Sequence, residues 1–239
     1  MRFLQLHVVT VFALSVSSVF AADSAEGYYN RPIFSDDFSG DKFGPRWGHY
    51  KSGSVVKDGL LVGITPENSD HSAVDNIRFD GERDLEVSVR FHLVSEKAKS
   101  FNLWFDDKDY KGSHAGHICS VSVSPAGVQM ADAKTGNFQN AIYEKRKSPE
   151  GLSAEEKKLM ETKTKKVAAA LTLNDWHTFV ARTKNDEVEV SVDGKVVGSF
   201  RSEGISHSTK SLVSLTTNQV DVHYDDFSVK AGGVAPQKP

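Results

Sequence analysis

Apolar and polar residues alternate with a period of two along most of this chain. The cleanest run sets Leu85, Val87, Val89, Phe91 and Leu93 against Glu86, Ser88, Arg90 and His92. A second sets Phe101, Leu103 and Phe105 against Asn102, Trp104 and Asp106. Successive side chains of a strand point to opposite faces, so each run predicts a half-buried strand. Further strands are predicted over Ser72 to Phe79, Val128 to Ala131, Asn137 to Tyr143, Val167 to Leu173, Trp176 to Lys184, Val188 to Val192, Val196 to Phe200, Leu212 to Thr216 and Val220 to Val229. Asp58-Gly59, Asn185-Asp186 and Asp193-Gly194 supply tight turns, Asp-Gly because it tolerates positive φ.

The pattern changes once. Ser153-Ala154-Glu155-Glu156 is a capping-box signature, and helix formers follow as far as Lys166. Leu152, Leu159 and Met160 give only a narrow apolar stripe, which predicts a surface helix over 153–166. Its lysines read as a solvated face, with an acidic partner as the alternative. Many short strands with frequent turns predict an all-β, two-sheet antiparallel jelly-roll sandwich with one inserted surface helix.

The ends read differently. Arg2, the apolar run Phe3 to Phe20, and small residues at Val19 and Ala21 predict a secretory signal peptide over 1–21. An uncleaved anchor is the rival. A linker over 22–31, one domain over 32–230 and a disordered tail over 231–239 complete the organisation. The expected location is secreted or periplasmic, with no membrane span after cleavage. The formal net charge of −3 over 239 residues argues against nucleic acid as a partner. Cys119 is the only cysteine and reads as a small core residue, and Trp47 and Trp176 read as core aromatics.

The loop after Phe105 concentrates chemistry. Trp104 could stack a sugar ring, and Asp106, Asp107, Asp109 and Tyr110 could bond to hydroxyls. His114 or His117 could move a proton near neutral pH. The bland alternative is a polar loop with a histidine packed at a strand end. His117 shares its phase with Cys119, Val121 and Val123, so it could equally begin a core-facing row. The strands at 85–93 and 101–105 are expected to lie in one sheet, with Arg90, His92, Asn102 and Trp104 sharing its outer face as a carbohydrate-binding surface.

Several segments carry a resemblance. DDFSG, RWGHY, VKDGLLV, the stretch DWHTFVARTKNDEVEVSVDGKVVGSF and DVHYDDFSVK resemble the concanavalin A-like lectin/glucanase jelly rolls. More narrowly they resemble the 3-keto-disaccharide hydrolase domain family of secreted bacterial proteins. The resemblance implies cleavage or elimination of 3-keto-glycosides, with His117 or His114 as base and Asp106 or Asp107 as its partner. A non-catalytic glycan-binding module is the alternative. Glu82, Asp84 and Glu86 have the spacing of laminarinase-type retaining glycosidases, where two carboxylates share one strand face, although Arg83 stands where those enzymes carry an apolar residue. The resemblance requires no cofactor and implies a structural calcium at Asp225, with a plain strand-edge acid as the alternative.

Overall fold

The computed structural model describes residues 27–94, 100–217 and 222–233. The signal peptide read at 1–21 and residues 234–239 of the tail read at 231–239 lie outside the described residues, while Ala231 of that tail ends a strand and is buried.

The alternating runs form two antiparallel sheets. Sheet A runs β13 (Lys195–Arg201), β12 (Glu187–Val192), β11 (Trp176–Lys184), β6 (Leu85–Leu93), β15 (Val222–Ala231), β4 (Leu60–Gly63) and β3 (Val55–Lys57), and β1 (Arg31–Asp36) also pairs with β15. Sheet B runs β10 (Thr164–Ala168), β9 (Gly127–Asp132), β8 (His117–Ser124), β7 (Phe101–Asp106), β14 (Lys210–Thr217), β5 (Ala73–Glu82) and β2 (Trp47–Tyr50). Asp58-Gly59 and Asp193-Gly194 turn their hairpins with positive φ at both residues, which matches the right-handed twist of the flanking strands. The apolar row of each sheet faces the other. Phe101 of β7 meets Phe91, Phe179 and Tyr224 of sheet A, at ring-centroid distances of 5.0, 5.8 and 5.4 Å. Cys119 and Trp47 belong to this core.

These contacts overturn the expectation that 85–93 and 101–105 lie in one sheet. Alternation tells which side chains turn inward, but two strands packed face to face satisfy it as well as two strands side by side. Arg90 and His92 therefore face out from sheet A, on the opposite side of the sandwich from Asn102 and Trp104. Trp176 also leaves the core. It lies half-buried on the outer face of sheet A, with the Arg90 guanidinium 5.0 Å from its ring centroid and the His92 ring at 5.4 Å.

An insertion joins β9 to β10. It holds two helices, α1 (Asn140–Lys147) and α2 (Ala154–Thr162). The segment read as a strand over Asn137 to Tyr143 instead begins α1. The edge of β9 it would have needed is taken by β10, and Lys145, Arg146 and Lys147 suit the negative C-terminal end of a helix. The expected capping box forms at Ser153, and α2 stops at Thr162, so that Thr164 already belongs to β10. Of the lysines read as solvated, Lys163 is mostly covered and pairs with Glu203. Asp132, 1 % exposed, anchors the insertion at its base, accepting from Thr135 N, Thr135 Oγ, Ser202 Oγ and Gly204 N. At the other end of the domain, Tyr29 is buried and Tyr28 Oη donates to Asp84, so the packed domain includes part of the expected linker.

Candidate functional site

The outer face of sheet B carries the strongest cluster. Strand register aligns Asn76, Ser214, Trp104, Ser120 and Ala131 in one row across five strands, and Thr216, Asn102, Ser122 and Gln129 in the next. The side chains beside Trp104 in its row are small, so the indole stands above a low polar floor. Asn102 shares its face.

A slip in pairing brings His117 to the same face. Trp104 lies opposite Ser120 and Phe105 opposite Cys119, but Asp106 lies opposite His117, leaving Ile118 as an extra residue. Such a bulge resets the alternation. The imidazole thus leaves the core-facing phase of Cys119 and lands beside Trp104, with ring centroids 4.2 Å apart. Its Nδ1 lies 2.8 Å from Asp106 Oδ1. Asp106 is 2 % exposed. Burial raises its pKa above the ordinary carboxylate range, against the opposing pull of His117. Among the described residues, Nε2 of His117 has no hydrogen-bond partner. His177 offers the contrast of a saturated histidine, with Nδ1 on Asp193 at 2.7 Å and Nε2 on the Thr172 carbonyl at 3.0 Å.

Phe138, which the sequence reading did not single out, closes the cluster. Its ring meets Trp104 and His117 edge-on, with centroids at 5.1 and 4.8 Å. The insertion delivers it, zipped to the β7–β8 loop by His114 N to Phe138 O and Asn140 N to Gly112 O, at 2.8 and 3.2 Å. His114 is exposed at the rim and stacks on Tyr143 of α1 at 3.9 Å, away from the acids of its loop. Partial desolvation, with repulsion from His117 and Lys147, lowers its pKa. The loop is tight at Gly116, where φ is 75° and a Cβ would sit 2.1 Å from the Asp107 carbonyl oxygen.

The other candidate residues are placed elsewhere. Asp107 turns to the opposite side of β7 from Asp106 and binds His207 Nε2 at 3.0 Å and Ser211 Oγ at 3.2 Å. Burial pushes its pKa up, but bonds from His207, Asp109 N and Ser211 outweigh this and lower it. Tyr110 meets His207 with its ring tilted, centroids 4.8 Å apart, and exposed Asp109 pairs with Lys108. His207 lies 100 residues from Asp107, and no spacing in the sequence signals it. Glu82 ends β5 of sheet B and pairs with Arg31, whereas Glu86 lies in β6 of sheet A and pairs with Arg182 and Lys230. Asp84, in the turn between them, accepts from Tyr28 and Asn185. The three acids do not share a strand face, and each is already partnered, so the retaining-glycosidase arrangement does not form. Both carboxylate oxygens of Asp225 are likewise engaged, by Arg90 at 3.0 Å and by Asp226 N at 2.8 Å. Among the described residues, no group of three or more His, Cys, Asp or Glu is placed to hold a metal ion.

No protein-family model matches the sequence, and comparison with curated protein sequences gives no match. Solved structures do match. The laminarinase from Rhodothermus marinus superposes with a TM-score of 0.58 at 12 % identity, over 85 % of this chain and 98 % of that one. The non-specific endo-β-1,3(4)-glucanase SCLam of family GH16 gives 0.57 at 11 % identity, over 85 % and 91 %. The carbohydrate-binding module CBM66 from Bacillus subtilis gives 0.52 at 12 % identity, over 78 % and 96 %. A sialidase matches over 78 % of this chain but only 17 % of its own length, with a TM-score of 0.54 at 11 % identity. The fold is thus a two-sheet antiparallel jelly-roll sandwich. Among the described residues, no helix is long and apolar enough to cross a membrane.

Proposed function

We propose that this chain is a carbohydrate-active sandwich that binds a glycan on the outer face of sheet B and cleaves or eliminates 3-keto-glycosides there. The carrying observation is His117. Its Nδ1 is fixed on a buried carboxylate, its Nε2 has no hydrogen-bond partner among the described residues, and its ring lies against Trp104. With Nδ1–H donated to Asp106, the lone pair on Nε2 is the proton acceptor. A ketone acidifies the hydrogen on the adjacent carbon. His117 takes that proton, the electron pair forms an enolate, and the enolate expels the glycosidic oxygen bonded to the next carbon. The departing oxygen takes a proton from solvent and the imidazolium of His117 releases its own, so the net change is loss of an alcohol from the sugar. Trp104 supplies the stacking face and Asn102 a hydrogen-bonding group beside it. This reading takes the chain as secreted or periplasmic, on the leader read at 1–21.

The Trp104–His117 contact also favours a second reading, in which the imidazole only buttresses the indole of a lectin-like site. Keto-sugar turnover and glycan-array binding on one purified sample separate the two. The first reading expects turnover that His117→Ala abolishes while binding persists. Binding lost in Trp104→Ala, without turnover in the wild type, selects the second. Absence of both binding and turnover overturns both.

A further inference from the structure

A groove of about 410 Å³ lies on the same face, between α2 and the β9–β10 margin. Gln129, Asn137, Lys157, Glu161, Thr164 and Lys166 line it. Gln129 and Lys166 are cross-strand neighbours, and their row continues through Ser122 to Asn102, beside Trp104. Asn137 precedes Phe138, which meets Trp104 edge-on. The groove is therefore an extension of the candidate site.

Its charge is unusual for an acidic chain. The side chains of Lys157 and Lys166 form no ion pair or hydrogen bond among the described residues. Four other lysines of the insertion and β10 are tied down: Lys145 to Glu156, Lys147 to Glu144, Lys163 to Glu203 and Lys165 to the Ser199 carbonyl. Arg146 adds positive charge by donating to the Asn137 carbonyl at 3.2 Å, and Glu161 is the one acid in the lining. Unpaired cations beside side-chain amides and a hydroxyl suit an anion carried on a polar ligand.

We propose that this groove binds the acidic substituent, a carboxylate or a sulfate ester, of an anionic oligosaccharide whose other end stacks on Trp104. The inference rests on the glycan reading above and adds the ligand class. Three strand spacings, about 14 Å, separate β10 from β7, so the charged unit and the stacked ring are different units of one ligand. Lys157 and Lys166 act as point charges, Gln129 and Asn137 as hydrogen-bonding partners for neighbouring hydroxyls, and Glu161 sets a limit on how much negative charge the groove accepts.

Calorimetric titration of the full domain tests this with three probes matched in length: a uronic-acid oligosaccharide, a sulfated oligosaccharide and a neutral one. At low salt at least one acidic probe should bind ten-fold or more tightly than the neutral probe, and the advantage should shrink as salt rises. The two acidic arms tell carboxylate from sulfate. The Lys157→Gln/Lys166→Gln double variant, both positions being exposed and so compatible with folding, should bring the acidic affinity down to the neutral one. Equal affinity for all three probes, or an advantage that survives the double variant, overturns the inference and leaves the glycan reading standing. Failure of every probe to bind overturns the glycan reading itself.

Discussion

Asp106 Oδ1 meets His117 Nδ1 at 2.8 Å because the pairing of β7 with β8 slips between Phe105 and Asp106. Without the slip, His117 would follow the core-facing phase of Cys119, Val121 and Val123. One extra residue, Ile118, thus turns a core position into a candidate site.

Asp106→Asn should separate orientation from charge. A carboxylate whose folded pKa lies above its unfolded value costs stability as pH rises from the unfolded pKa toward the folded one. Asparagine keeps an oxygen for Nδ1–H and removes that cost. The melting temperature at pH 7 should therefore equal or exceed that of the wild type. A clear loss of melting temperature would contradict this account.

Gly116→Ala and Gly59→Ala form a matched pair. Their φ values are 75° and 76°, but only at Gly116 would a Cβ meet the backbone, at 2.1 Å, whereas nothing lies within 4 Å at Gly59. Gly59→Ala should cost about 1–2 kcal/mol, the left-handed term alone. Gly116→Ala should cost more in denaturant titration, and it should displace the loop that carries His117, seen as a change in Trp104 fluorescence.

His177 and Asp193 predict a pH window. Burial pushes the His177 pKa down, but its bonds to Asp193 and the Thr172 carbonyl prevail and raise it above 6.5. That contribution is complete below the unfolded histidine pKa and is lost as pH rises through the folded one. Burial pushes Asp193 up, yet its bonds to His177 and Thr178 N lower it below 3.8, so its contribution is lost as pH falls through that folded value. The melting-temperature gap between wild type and Asp193→Asn should peak between pH 3.8 and 6.5 and narrow on both sides.

Ser153→Ala removes half of a reciprocal cap. Glu156 N donates to Ser153 Oγ at 3.2 Å, and Ser153 N donates to Glu156 Oε2 at 2.7 Å. Hydrogen exchange should show α2 losing about 0.5–2 kcal/mol of local protection. The core amides of β6 and β7 should exchange as before, because α2 buries only Met160.

Much of the sandwich was legible because its signals are local. The Leu85 to Leu93 alternation, the Asp-Gly turns and the Ser153 capping box each need only a few neighbouring residues. Sheet membership was not legible, since period-two alternation is the same for facing and adjacent strands, and Arg90 and His92 were misplaced for that reason. Trp104, His117 and Asp106 lie within one hairpin, so their proximity could be read, although the bulge that fixes His117 could not. Phe138 escaped notice inside a segment whose Ala141, Ile142 and Tyr143 resemble a strand until the β9 edge is known to be occupied. His207 and the Lys157–Lys166 groove depend on contacts between distant segments.

The insertion leaves and re-enters the sheet at the same place. Ala131 pairs with Thr164, and Asp132 N donates to Lys163 O at 2.9 Å, so its two ends are already neighbours. To the sandwich, everything between them is one hairpin loop, and doubling a flexible loop costs only about 0.6 kcal/mol of closure entropy. The wall that supplies Phe138, Tyr143 and Lys157 is therefore an exchangeable part. Lengthening, shortening or grafting it would reshape the outer face of sheet B, while the facing rows of Phe91 and Phe101 keep the scaffold constant.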